Sequence, residues 1–218
     1  MSITLYGASL SPYVRKVRVA LAEKGIAYEQ VQIDPNRRPD DFYDLSPFGR
    51  IPALRDGDIV LADSGVICTY LDARYPANPL TYSDPVLKAK VQWFEKFGDY
   101  ELGPVLTFGV FRNRVVMHLL GKPCDEAYVA NCLSEKVPAL MQYLEACAPE
   151  DGFIVGDQLT VADIAIATQF VNFNLGKEQV DSSLYPKTAA YLQRIQSRPS
   201  FVSIIEKDQS LVNKLLNR

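Results

Sequence analysis

The chain has 218 residues, 48% of them hydrophobic and 22% charged, with a net charge of −3 at pH 7. That length accommodates one large or two modest domains with a real core, and the composition excludes disordered and fibrous classes. The small negative balance, with no block of like charge, argues against a nucleic-acid surface, and no apolar run approaches the ~20 residues that span a bilayer.

The opening residues Met1 to Gly7 lack the charged and apolar regions of a secretory signal, so a cytoplasmic protein is expected. Ile3 to Tyr6 is a short β-prone run, and a loop follows over Gly7 to Leu10. Ser11-Pro12 then reads as an N-cap and first helical residue, with an apolar stripe of Val14, Val17, Val19, Ala20 and Leu21 and a stop at Lys24-Gly25. Tyr28 to Ile33 alternates like a strand, Asp34 to Asp41 is a polar loop, and a short helix spans about 40–45. Ala53 to Arg55 and Ile59 to Leu61 flank Asp56-Gly57-Asp58 as a hairpin, and a helix runs from about Ser64 to Arg74. This order predicts a small mixed α/β unit, 1–77, and a proline-punctuated linker, 78–84. After it only helical patterns remain, over about 85–119, 125–147, 161–174, 186–197 and a shorter one near 200–207, giving an all-α unit, 85–218.

The four cysteines, Cys68, Cys124, Cys132 and Cys147, have no Cys-x-x-Cys spacing, and His118 is the sole histidine. Free buried or half-buried thiols are expected, and neither a metal site nor a Cys/His catalytic pair. The densest chemistry lies in residues 51–64. Pro52 cannot donate to a ladder, so it marks a strand edge, a strand start or a special backbone geometry. Asp63-Ser64 opens a helix and sets an anion pocket beside a carboxylate, a combination suited to a small peptide with both ammonium and carboxylate groups.

Four segments together resemble the cytosolic glutathione transferase family: residues 11–26 (SPYVRKVRVALAEKGI), 46–54 (SPFGRIPAL), 63–67 (DSGVI) and 155–165 (VGDQLTVADIA). The likeness covers essentially the whole chain. It implies a thioredoxin-like N-terminal domain with a mixed four-stranded sheet, an all-helical C-terminal domain and a homodimer. Ser11 directly before Pro12 resembles the tau-type arrangement, where omega-type relatives carry cysteine; an unclassified bacterial serine class fits as well.

On that resemblance Ser11 is the catalytic residue, its hydroxyl donating to the glutathione sulfur and favouring thiolate, aided by the helix starting at Pro12. Ser9 and Tyr6 are the alternatives. Asp63 and Ser64 hold the γ-glutamyl end, Ile51 offers its main chain to the cysteinyl unit beside a cis Pro52, and Arg37 and Arg50 meet the glycine carboxylate, with Arg38 as rival to Arg37. Tyr13, Phe108 and Phe111 are candidate walls of an electrophile pocket, with Arg112 as its polar partner. Thr160 and Asp163 form a capping box and are expected to be structural. The implied reaction conjugates glutathione, as co-substrate and with no other cofactor, to a hydrophobic electrophile. A glutathione-dependent peroxidase or isomerase, and a non-catalytic interaction protein on the same fold, are the competing readings; serine in place of cysteine disfavours a thiol oxidoreductase.

Overall fold

A computed structural model describes residues 3–216. Strands β1 (Ile3–Tyr6), β2 (Tyr28–Val31), β3 (Ala53–Asp56) and β4 (Ile59–Ala62) form one sheet in the order β2-β1-β3-β4. β1 runs parallel to β2, with Leu5 opposite Gln30, and antiparallel to β3, which pairs antiparallel with β4. The parallel pair needs a crossover, supplied by α1 (Pro12–Glu23), whereas the tight β3–β4 connection turns at Gly57 with φ +60°. α2 (Ser64–Arg74) follows β4 directly, and a 3-10 turn (Asp40–Asp44) sits in the β2–β3 connection. This is the mixed sheet that the residue pattern predicted, in the thioredoxin-like form that the resemblance implied.

From Pro85 onward the described residues are helical or looped. α3 (Pro85–Lys96) continues through a π-helical stretch (Phe97–Val116) into α4 (Met117–Leu119). α5 (Glu126–Asn131) passes through a second such stretch (Cys132–Lys136) into α6 (Val137–Cys147), and α7 (Val161–Leu175), α8 (Pro186–Gln196) and α9 (Pro199–Leu216) complete the set. The long helix predicted over 85–119 is present, but its middle is wider than an α-helix. Pro104 there lacks the N–H of a regular α ladder, and Gly98 allows a close approach: a Cβ on it would lie 2.9 Å from the Ala165 carbonyl carbon of α7.

α7 is the central post. Every residue in it except Asn174 is buried, including the polar Asp163, Thr168, Gln169 and Asn172. One core cluster joins the two regions, with Leu5, Val17, Leu21, Leu54 and Ile67 continuous with Leu102, Leu106 and Phe170. The predicted capping box holds the start of α7: the buried Asp163 carboxylate accepts from the Thr160 N–H (2.9 Å), the Thr160 hydroxyl (3.0 Å), the Ile154 N–H (2.8 Å) and the Tyr191 hydroxyl (2.9 Å). All four cysteines are free thiols, Cys68 and Cys132 buried and the other two partly so. Burial pushes the Cys68 thiol up to about 12.

Two features depart from the expected pattern. α1 is buried well beyond its apolar stripe, because Arg15, Lys16 and Arg18 are also inside. The last helix does not stop near residue 207 but runs to Leu216. The longer α9 and the burial of Arg15 and Arg18 have one cause: Asp208 interrupts the apolar stripe of α9 in sequence, yet it is only 1% exposed because the two arginines meet it there, whereas Lys16 is buried against Glu95 and Asp99.

Candidate active site

A cleft of about 870 Å³ opens between the start of α1 and the Phe97–Val116 segment. Its floor is the loop Ala8–Ser11. Ser11 caps α1, accepting a long 3.4 Å bond from the Val14 N–H, and among the described residues its hydroxyl donates no hydrogen bond. The proton is therefore available to a guest, beside the positive end of a 12-residue helix. Ser9 also lines the cleft, but its Oγ already accepts from the side chains of Gln30 (3.3 Å) and Gln32 (2.8 Å). Tyr6 does not line it and packs instead against the cluster of Ile33, Phe42 and Ala53.

At one end stand Asp63 and Ser64. The Asp63 carboxylate caps α2 by accepting from the N–H groups of Gly65 (2.9 Å) and Val66 (3.2 Å), and its φ of +81° is a backbone setting that non-glycine residues seldom take. Ser64 is buried at the first turn, next to the exposed Asp63 carboxylate that holds the Gly65 and Val66 N–H groups. The Ile51–Pro52 bond is cis; Ile51 and Arg50 line the cleft, and Pro52 is buried just behind them. Of the two rival arginines, Arg38 reaches the cleft and is half-buried, whereas Arg37 is exposed in the 34–37 turn and is not part of the lining.

The opposite end is apolar. Tyr13, Phe108, Phe111 and Arg112 all line it, but they differ in depth: Phe111 is 3% exposed and belongs to a core cluster with Val115, Val171 and Val212, while Phe108 is 48% exposed. Tyr13 donates to the Asp99 carbonyl (3.0 Å), and burial, reinforced by the Asp99 charge, pushes its phenol up to about 12. The Tyr13 hydroxyl is thus committed to structure and the ring faces a guest. Sequence reasoning did not find Tyr100, Thr107, Asn172, Leu119, Leu211 or Leu215, which also line the cleft. Leu211 and Leu215 lie in the unforeseen extension of α9; continuing the stripe from Phe201 through Ile204 to Val212 and Leu215 across Asp208 is the signal that was available.

Residues 5–79 match the family model for the glutathione S-transferase N-terminal domain, and residues 111–208 the model for its C-terminal domain. A glutathione S-transferase of Hyoscyamus muticus is 30% identical over 220 residues, spanning 96% of this chain and all of that relative. The chain belongs to the glutathione S-transferase family. A glutathione S-transferase crystal structure from Rhodospirillum rubrum F11 is 28% identical and superposes with a TM-score of 0.85 over 93% of this transferase and 91% of that one. A stringent starvation protein A homologue of Haemophilus ducreyi is 43% identical, but over 88 residues, 40% of this transferase and 41% of the relative. Among the described residues, no group of three or more His, Cys, Asp or Glu side chains could hold a metal ion, and no helix is long and apolar enough to cross a membrane.

Proposed function

We propose that the protein conjugates reduced glutathione to hydrophobic electrophiles, with the sulfur activated at Ser11. The observation that carries the reading is the Ser11 hydroxyl, free to donate at the N-terminus of α1, on the floor of a cleft with a charged end at Asp63-Ser64 and an apolar end at Phe108-Phe111. Glutathione lies extended from Ser64 past the Ile51 main chain toward Arg50 and Arg38, which take over the glycine carboxylate from Arg37. Its thiolate attacks the electrophilic carbon; a C–S bond forms, and either a leaving group departs with the electron pair or the adjacent atom takes a proton. No cofactor beyond glutathione as co-substrate is needed.

A free thiol of pKa ~8.5 is about 3% ionised at pH 7, and lowering it by roughly two units ionises about three quarters. Lower basicity returns roughly 6–10-fold in nucleophilicity, so net activation is severalfold and positioning of the electrophile supplies the rest. Residues 1–77 form the glutathione-binding unit, 78–84 the linker and 85–218 the unit that contributes the electrophile pocket. The open groove between α2 and α3, lined by Val66, Tyr70 and the 63% exposed Trp93, supports a homodimer in which a second copy covers it. A cytoplasmic detoxifying enzyme is the setting this chemistry suits.

The test is retention on immobilised glutathione, followed by turnover of an aromatic halide by the wild type and Ser11→Ala. Retention with a severalfold loss of rate at neutral pH in the variant supports the reading, while an unchanged rate moves the activating role to Ser9. The second reading is a non-catalytic interaction protein on the same fold. Failure both to bind glutathione and to turn over the halide would select it.

A further inference from the structure

The loop under the thiol is held at every carbonyl from residue 7 to residue 11. Gly7 accepts from the Gln30 side chain (3.3 Å), Ala8 from the Ser11 N–H (3.0 Å), and Ser11 from the Arg15 N–H (2.9 Å). The two between them are held from farther along the chain. The Ser9 carbonyl accepts from Arg18 Nη1 (3.2 Å), and the Leu10 carbonyl accepts from Asn172 Nδ2 (3.3 Å) on α7. Neither donor is free to wander. Arg18 Nη1 also donates to Asp208 Oδ1 (3.0 Å), and Asn172 Oδ1 accepts from Arg15 Nη1 (2.8 Å), whose Nε donates to Asp208 Oδ2 (2.8 Å). Arg15, Asn172 and Asp208 are at most 1% exposed and Arg18 is 5% exposed, so the set is buried, with Arg15 Nη2 and Arg18 Nε left without a partner among the described residues.

A contact meant only to bind α9 to α1 would end at the Asp208 ion pairs. Here Arg18 carries a further donor onto the Ser9 carbonyl, Asn172, held by Arg15, donates to the Leu10 carbonyl, and α9 itself supplies Leu211 and Leu215 to the apolar end of the cleft. We propose that Arg18 and Asn172, locked by Asp208 of α9, are positioning residues that place the Ser11 hydroxyl against the sulfur of glutathione and register it with the electrophile wall on the same helix. This rests on the assignment of Ser11 above. A loop displacement of a few tenths of an ångström lengthens the hydroxyl–sulfur hydrogen bond without removing any group that touches glutathione, and catalytic geometry is sensitive at that scale.

The experiment compares Arg18→Gln and Asn172→Ser with wild type and Ser11→Ala, following the ultraviolet thiolate band of bound glutathione against pH, the steady-state constants and thermal unfolding. In both positioning variants the glutathione KM is expected within about threefold of wild type, while the bound thiol titrates higher and kcat at neutral pH falls severalfold. A variant affecting packing alone moves the melting temperature but not the thiol titration. Asn172→Ser leaves all three charges in place, so it carries the test should Arg18→Gln fail to fold. Folded variants with the wild-type thiol titration and kcat overturn the inference. If Ser11→Ala also titrates as wild type, it is the Ser11 assignment that has failed, and the two outcomes are distinct.

Discussion

Two buried ion clusters join α1 to the helical region, and they are built with opposite charge excess. In one, Lys16 Nζ faces two carboxylates, Glu95 Oε1 at 3.0 Å and Asp99 Oδ2 at 2.6 Å. In the other, the two guanidinium groups of Arg15 and Arg18 share the single carboxylate of Asp208, at 2.8 and 3.0 Å. The negative cluster lies toward the Asp63 end, where Glu95 and Asp63 both crowd against Gly65, and Asp99 lines the cleft. The positive one lies beneath the Ser9–Ser11 loop. Buried ion pairs add little net stability over apolar packing, so their placement here speaks of orientation more than of strength.

The sharpest way to break this comparison is to unbalance each cluster. Asp208→Ala strands two buried guanidinium groups and is expected to cost about 3–5 kcal/mol, on the order of 10 °C in melting temperature. Lys16→Met strands two carboxylates at a similar cost at pH 7, but its deficit relative to wild type should shrink on acidification. Burial already holds the Asp99 carboxyl above its ordinary range, and the Lys16 charge that opposes this is gone in the variant. An acid whose folded pKa exceeds its unfolded value stabilises most below both and loses that contribution as pH rises through the folded value. Asp208→Ala leaves no carboxyl in its cluster and should show no such recovery. Urea unfolding at pH 7 and pH 5 checks the pair; matching pH profiles would falsify the asymmetry.

Within the cleft the same logic separates depth from contact. Phe111→Ala should destabilise by about 3–5 kcal/mol, because that ring is core. Phe108→Ala should leave stability within about 0.5 kcal/mol and raise the KM for an aromatic electrophile severalfold, with the glutathione KM unchanged. Equal loss of stability in the two would mean that the apolar end is simply core. At the charged end the expected effect falls on binding and not on stability. Asp63→Asn keeps a competent cap but removes the charge, so melting should hardly move while the glutathione KM rises about tenfold, or ~1.4 kcal/mol. An unchanged KM would leave Asp63 only its capping role.

The Asp63–Ser11 side of the cleft was legible as geometry because its signals are local. Ser11-Pro12 and Asp63-Ser64 are helix starts whose cap signals stand in the sequence, and both line the cleft. The choice between Arg37 and Arg38 was not local, since adjacent loop residues carry the same charge and only the course of the chain decides which reaches inward. The electrophile end was harder still. Phe108 and Phe111 read alike on a helix, yet one is exposed and the other buried, because the helix meets α7 on one side and open cleft on the other.

Alternation, caps, the hairpin turn and the loss of strand patterns after residue 84 determined the architecture and the two helix starts that line the cleft, because each depends on neighbours a few positions away. What only the tertiary structure decided was the fate of charge. Arg15, Lys16, Arg18 and Asp208 look like solvated side chains in a linear reading, and they become buried because partners up to 193 residues distant arrive to neutralise them. That long-range pairing carried α9 past Asp208 and brought Leu211 and Leu215 to the wall of the cleft. No local pattern encodes it, since burying a charge is favourable only once its counter-charge is in place.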